Sequence, residues 1–108
     1  MKEDVKKIYL CRKSEVTREN PFVFNLNHRE QIVLFSTTER YFAVENRYPY
    51  AGANLHEGIV ENKILMCVWR GWRFDLESGQ CLNEYRTRLK TYPVFTENDK
   101  LFLVISTS

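Results

Sequence analysis

The sequence predicts an all-β protein built from antiparallel strands. Three observations point to this class. Val, Ile, Phe and Tyr cluster in short runs, turn-forming residues separate these runs, and no stretch shows the 3.6-residue period of a helix. Short strands spaced about 8 to 12 residues apart are typical of an antiparallel sandwich or barrel. A chain of 108 residues with 44% hydrophobic residues is expected to form one domain, residues 1–108.

Eight strands are predicted in chain order. Each is rich in β-branched or aromatic residues and ends where turn-forming residues begin. The predicted strands cover residues 7–11, 22–25, 31–35, 41–45, 64–68, 72–75, 89–95 and 101–106. Turns are expected at residues 20–21, 27–28, 37–39, 78–79 and 97–99, where Asn, Asp, Ser, Thr, Gly or Pro occur.

Two segments interrupt the strand pattern and are candidate sites. Pro49, Gly52 and Gly58 break any regular pairing within residues 47–58. A shorter loop, residues 69–71, separates the fifth predicted strand from the sixth. Loops held by a rigid scaffold commonly carry binding and catalytic residues. We therefore expect function to lie in these two loops.

Composition excludes several functional classes. The net charge of +2 is too small to predict nucleic-acid binding. The first ten residues are too charged for a signal peptide, and no apolar run approaches the roughly 20 residues of a membrane span. A cytoplasmic location is expected, and with it free thiols at Cys11, Cys67 and Cys81, whose spacing matches no zinc template.

Residues 45–82 resemble the cluster-binding half of Rieske-type ferredoxins. The resemblance implies antiparallel sheets that form an incomplete barrel, with a small two-loop subdomain at one end. The two loops are those that interrupt the strand pattern. The matching positions are Asn46, Pro49, residues 51–53, Leu55, residues 57–58, Cys67, Trp69, residues 71–72, 74–76, 78–79 and 81–82.

The resemblance fails at the metal ligands. Rieske proteins hold a two-iron two-sulfur cluster with two cysteines and two histidines, arranged in this family as C-x-H and C-x-x-H. The corresponding positions here are Tyr48, Tyr50, Cys67 and Arg70. Arginine has no lone pair to donate, and one thiolate with two phenols cannot replace the missing ligands. No cofactor, no metal and no catalytic residue are therefore expected, as in the similar small subunit of some NADH-dependent nitrite reductases.

The lost ligands predict a binding protein. Tyr48, Tyr50 and Arg70 are expected to fill the cluster space, and the resemblance implies an outer tip formed by Tyr50, Trp69 and Arg70. Such residue types are enriched at interface hot spots. The expected partner is a protein, a reductase or oxygenase component. Two alternatives remain, namely a ferredoxin-like electron carrier with an atypical metal site and a small-molecule or anion pocket around Arg70.

The aromatic residues of the frame have a simpler interpretation as well. Aromatic side chains dominate small hydrophobic cores. Trp69, Trp72, Phe74 and Phe102 are accordingly predicted to support the core rather than to contact a cofactor.

Overall fold

The computed structural model describes residues 5–37, 40–46, 55, 58–67 and 71–106. Ten strands and one short 3-10 helix, Lys13–Glu15, account for the regular structure of these residues. The strands are β1 (Val5–Arg12), β2 (Phe22–Asn25), β3 (Gln31–Ser36), β4 (Tyr41–Glu45), β5 (Ile59–Glu61), β6 (Ile64–Met66), β7 (Arg73–Asp75), β8 (Thr91–Tyr92), β9 (Val94–Glu97) and β10 (Lys100–Ser106).

The strands form three antiparallel sheets. Sheet A has the order β1-β10-β9, sheet B the order β2-β3-β4-β8, and sheet C the order β5-β6-β7. Every pairing is antiparallel, and a register shift between Tyr9 and Cys11 interrupts the β1-β10 ladder. Such a shift lets a strand bend and strengthens its twist. The predicted all-β architecture of antiparallel sheets is confirmed.

Sheet B is the central layer because both of its faces are buried. Val33 and Val44 belong to a core cluster shared with sheet C, whereas Ile32 and Leu34 belong to a second cluster shared with sheet A. Neighbouring residues of a strand point to opposite faces, so β3 must be apolar at every position. The run IVLF in β3 meets this requirement, and all four side chains are at most 1% exposed.

Two strand predictions are wrong. The predicted strand 89–95 is divided into β8 and β9, which lie in different sheets, with Pro93 between them. Proline has no backbone N–H to give to a ladder, although its carbonyl accepts the N–H of Val104 at 3.0 Å. Strand β5 was not predicted, because its sequence IVE is three residues long and follows the glycine-containing loop.

The remaining strands agree with the sequence to within a few residues. The prediction for 64–68 begins at the observed start of β6, while Val68 lies outside the described residues. All three cysteines are free, as predicted. Within the described part of the chain, no helix is long and apolar enough to span a membrane.

The aromatic predictions have mixed outcomes. Phe74 is fully buried and Trp72 packs partly buried against the same core cluster. Phe102 instead lies half-buried, in contact with the rings of Tyr9 and Phe95, which are exposed. The ladder pairs Phe102 with both residues, so the three rings share the outer face of sheet A. Trp69 lies outside the described residues.

Candidate functional site

Strands of sheets B and C border the two loops predicted at residues 47–58 and 69–71. From here on, the first loop means residues 47–54 and the second loop means residues 68–70. The first loop comes after Asn46, which follows β4, and the second loop comes after Cys67, which follows β6. The predictions for Tyr48 and Tyr50 fall in the first loop, and those for Trp69 and Arg70 in the second. These four residues lie outside the described part of the chain, so the geometry that follows concerns the frame that carries them.

Hydrogen bonds join the two ends of the first loop. The Asn46 side-chain oxygen Oδ1 accepts the backbone N–H of Leu55 at 2.8 Å. Leu55 is 1% exposed and belongs to the core cluster between sheets B and C. The Leu55 carbonyl accepts the N–H of Gly58 at 3.0 Å, and β5 begins at the next residue, Ile59. The first loop is thus anchored on both sides by buried residues.

The second loop is closed as a hairpin between β6 and β7. The N–H of Cys67 donates to the carbonyl of Trp72 at 2.8 Å, directly beyond the last ladder pair, Met66 with Arg73. Gly71 has a φ of +65°, a left-handed conformation that glycine adopts without the steric penalty of a side chain. The frame therefore fixes where the second loop starts and ends.

Of the four predicted ligand positions, Cys67 is the one that the structure describes. It is 4% exposed and packs in the core cluster between sheets B and C. Burial, together with the nearby Cys81, raises the pKa of its thiol to about 12. A thiol with so high a pKa is protonated at neutral pH, and it is a poor nucleophile because the thiolate is the reactive form. Within the described part of the chain, Cys67 has the properties of an apolar packing residue.

Cys81 lies on the same inward face of sheet C. It forms a bridge with Phe74, which in turn pairs with Leu65 of β6, two residues before Cys67. Cys81 is 2% exposed, and its Sγ accepts the backbone N–H of Glu84 at 3.3 Å. Sequence analysis placed Cys81 in the matching frame and predicted a free thiol, and the structure adds this contact within the turn that follows β7.

The outward face of sheet C carries exposed apolar side chains beside the second loop. The pairs Ile59 with Met66 and Met66 with Arg73 place these three side chains on one face of the sheet. Ile59 is 62% exposed and Met66 is 41% exposed. Leu82, whose N–H donates to the carbonyl of Arg73 at 2.8 Å, continues this surface and is 57% exposed. We call these four residues the sheet C face.

Arg73 gives the sheet C face a positive charge. Among the described residues, its guanidinium makes no ion pair, whereas Arg40, Lys63 and Lys90 each pair with a carboxylate. Sequence analysis missed this surface, although the alternation of inward and outward side chains along β6 and β7 could be read from the sequence. Leu65 and Phe74 point inward, so their neighbours Met66 and Arg73 must point outward.

The structure gives no positive indication of a metal site in the part that it describes. Residues 5–37, 40–46, 55, 58–67 and 71–106 contain no group of three or more His, Cys, Asp or Glu side chains that could hold a metal ion. Cys67 and Cys81 are the thiols close to the two loops, and both are buried among apolar side chains.

Comparisons with known proteins agree with the fold. Residues 8–104 match the sequence model of the Rieske-like [2Fe-2S] domain. The ferredoxin component of the alkene monooxygenase system of Xanthobacter autotrophicus is 24% identical over 102 residues, which cover 94% of this chain and 83% of that protein. The 4beta-methylsterol monooxygenase of Methylococcus capsulatus is 41% identical over 63 residues, or 48% of this chain and 17% of that enzyme.

Solved structures include proteins of two kinds with this fold. The Sphingomonas yanoikuyae B1 ferredoxin superposes with a TM-score of 0.79 at 22% identity, covering 91% of this chain and 97% of that chain. The small subunit of the nitrite reductase of Erwinia carotovora superposes with a TM-score of 0.74 at 22% identity, covering 94% and 83% of the two chains. At such identities the structural likeness establishes the fold, so the resemblance noted in the sequence is confirmed at that level.

Proposed function

Because the chain belongs to the Rieske-like [2Fe-2S] domain family, we propose that it is a member without a cluster that acts as a binding or accessory subunit of a redox enzyme system. The observation that carries this proposal is the set of residue types at the four ligand positions, namely Tyr48, Tyr50, Cys67 and Arg70. In this role the protein is non-catalytic on its own.

This donor set does not fit a Rieske cluster. The cluster requires two thiolates on one iron and two neutral imidazoles on the other. Arg70 is a permanent cation without a lone pair, and each tyrosine has a phenol whose ordinary pKa is about 10. Cys67, the one described member of this set, packs among apolar side chains of the core cluster between sheets B and C.

A docking role is supported by the residue types in the two loops and by the exposed sheet C face beside the second loop. The proposed tip consists of Tyr50, Trp69 and Arg70, which are residue types enriched at hot spots. The sheet C face adjoins the second loop directly, since Met66 precedes Cys67. Exposed apolar side chains together with the cation of Arg73 suit a partner surface that combines apolar groups with a carboxylate. We propose a reductase or oxygenase component as this partner, because the ferredoxin component named above belongs to an alkene monooxygenase system.

The comparisons taken alone favour a second function, that of an electron carrier. The matching family is described by its 2Fe-2S cluster, and the alkene monooxygenase relative is named as a ferredoxin component. In this alternative, an atypical metal site would use Cys67 with ligands other than two cysteines and two histidines. The two proposals differ in whether metal is bound.

Metal content decides between the two proposals. The protein is purified without oxygen from cells supplied with iron and sulfur, and its iron, labile sulfide and visible absorption are measured. We expect a colourless protein with far less than one iron per chain. The matched control is the triple variant Tyr48→Cys, Tyr50→His and Arg70→His, which restores the ligand set of the family and is expected to bind a coloured cluster. Iron and sulfide near two each per unaltered chain would overturn the first proposal.

The docking tip is tested by three truncations and a control. Tyr50→Ala and Arg70→Ala should each weaken binding of the partner by roughly 2 kcal/mol or more, as at interface hot spots. Tyr48→Ala, at the position proposed to point inward, should instead lower the free energy of unfolding by about 3 to 5 kcal/mol. Tyr9→Ala, which removes an exposed ring from the distant sheet A, should change binding little. Equal losses of stability at all three loop positions, without a binding effect, would exclude the tip.

A further inference from the structure

A chain of side-chain amides runs from the outer end of sheet B to the first loop. Gln31, at the start of β3, donates from Nε2 to Oδ1 of Asn25 at 2.8 Å. Its Oε1 accepts a hydrogen bond from Nδ2 of Asn46 at 2.7 Å. Oδ1 of Asn46 then accepts the backbone N–H of Leu55 at 2.8 Å. Three amides therefore connect an exposed strand end, at Asn25, with a buried residue beyond the first loop.

The backbone donor at one end fixes the orientation of every amide in the chain. The N–H of Leu55 can only donate, so Asn46 must present its oxygen to it. Asn46 must then donate from its NH₂ group to Gln31, and Gln31 must accept this hydrogen bond with Oε1. The NH₂ group of Gln31 is left for Asn25. The direction of the whole relay is thus set by Leu55.

Asn46 is the buried member of this relay. It is 6% exposed, and its backbone N–H also donates to the carbonyl of Gln31 at 2.7 Å. A buried amide is favourable only when its donors and acceptors are satisfied, because an unpaired group loses its hydrogen bonds to water without gaining others. Here the same side chain satisfies Leu55 and is itself held by Gln31. Neither contact involves a metal ligand position.

We propose that Asn46 is a positioning residue, which holds the ends of the first loop together through protein hydrogen bonds and without a cluster. This inference rests on the proposed docking function, since the first loop carries Tyr50 of the tip. Through the relay, the contact between Asn46 and Leu55 depends on Gln31, which lies on β3. Loss of the relay should loosen the attachment of the first loop at Leu55 and leave the sheets in place.

Hydrogen exchange at single amides, measured by NMR, tests the inference. Asn46→Leu should lower the exchange protection of the Leu55 amide by about tenfold or more. The reference is the amide of Leu89, which donates to the carbonyl of Gly79 at 2.7 Å, outside the relay, and should keep its protection. Asn46→Asp should restore protection of Leu55 at neutral pH, because a carboxylate still accepts its N–H while Gln31 reverses its amide.

The other members of the relay provide graded controls. Gln31→Leu should lower the protection of Leu55 less than Asn46→Leu does. It removes the hydrogen bond that holds Asn46, but the hydrogen bond between Asn46 and Leu55 can still form. Asn25→Ala should have almost no effect, since water can replace an exposed acceptor. If Asn46→Leu does not fold, the comparison of Gln31→Leu with Asn25→Ala still tests the relay.

The outcomes separate this inference from the proposed function. Unchanged protection of Leu55 in Asn46→Leu, or equal loss at Leu55 and Leu89, would overturn the positioning role. A selective loss at Leu55 without any weakening of the partner complex would uphold the positioning role and overturn docking through the first loop.

Discussion

Replacement of Cys67 by serine and by alanine distinguishes a packing thiol from a metal ligand. Cys67 is 4% exposed and packs as an apolar residue in the core cluster between sheets B and C. Alanine there removes the sulfur and leaves a small void, whereas serine keeps the shape and introduces a hydroxyl. We therefore expect serine to be the more damaging substitution.

The expected magnitudes follow from burial. Cys67→Ala should lower the free energy of unfolding by about 1 kcal/mol. Part of this cost comes from the void of roughly 20 Å³ that the sulfur leaves, and the rest from the loss of a buried apolar group about the size of a methylene. Cys67→Ser should cost about 2 to 4 kcal/mol, since a buried hydroxyl without a partner adds about 1 to 3 kcal/mol. Among the described residues, no group makes a hydrogen bond to Sγ of Cys67.

Cys81 is the matched control because it is equally buried and differs in one contact. It is 2% exposed, and its Sγ accepts the N–H of Glu84 at 3.3 Å. A serine oxygen can accept the same N–H, so Cys81→Ser should cost about 1 kcal/mol less than Cys67→Ser. The tertiary environment, and not the residue type, sets this difference.

Urea unfolding followed by tryptophan fluorescence measures all three variants, and the slopes show whether the unfolded states are comparable. Equal costs for serine at both positions would refute the hydrogen-bond argument. A loss of bound iron in Cys67→Ala, accompanied by a larger loss of stability than in Cys67→Ser, would refute the packing role and identify Cys67 as a ligand.

Three further predictions concern stability. Gly79→Ala should lower the free energy of unfolding by several kcal/mol, because Gly79 has a φ of +84° and an added Cβ would lie 2.2 Å from the carbonyl oxygen of Leu89. Gly71→Ala should lower it by only about 1 kcal/mol, because Gly71 has a φ of +65° but nothing lies within 4 Å of an added Cβ. Similar losses for both variants in urea unfolding would contradict the steric argument. The hydrogen bond from Lys63 lowers the pKa of Glu77 below its ordinary value of 4.5, so stability from this pair is present above that pH and is lost as the pH falls through the lower folded pKa. Glu77→Gln should therefore flatten the acid side of the stability profile, and an unchanged slope would exclude the pair as a source of acid sensitivity. Excess chelator should leave the thermal midpoint unchanged, and a clear drop in calorimetry would reveal a bound structural metal.

The ends of both loops are held by hydrogen bonds between described residues, at Asn46 with Leu55 and at Cys67 with Trp72. This frame is that of the family whose sequence model the chain matches. The proposal that no cluster is bound depends on the residue types at the four ligand positions.

The sequence by itself determined the fold class and most strands. Alternating and continuous apolar runs are local patterns, and they located β1 to β4, β6, β7 and β10 to within a few residues. The sequence is also the basis for the prediction about the four ligand positions, because whether a side chain can donate a lone pair to iron depends on its type. That prediction stays a proposal.

Only the tertiary structure decided how these elements and side chains are used. The division at Pro93, the short β5, the burial of Asn46 and the exposure of Met66 each depend on partners distant in the chain. Asn46, for example, is held by Gln31, fifteen residues away. The type of a residue determines which hydrogen-bond donors, acceptors or metal-ligand atoms it carries. Burial and hydrogen bonding are decided by the residues that the fold brings to it, and for that reason the relay at Asn46 and the sheet C face became visible only in three dimensions.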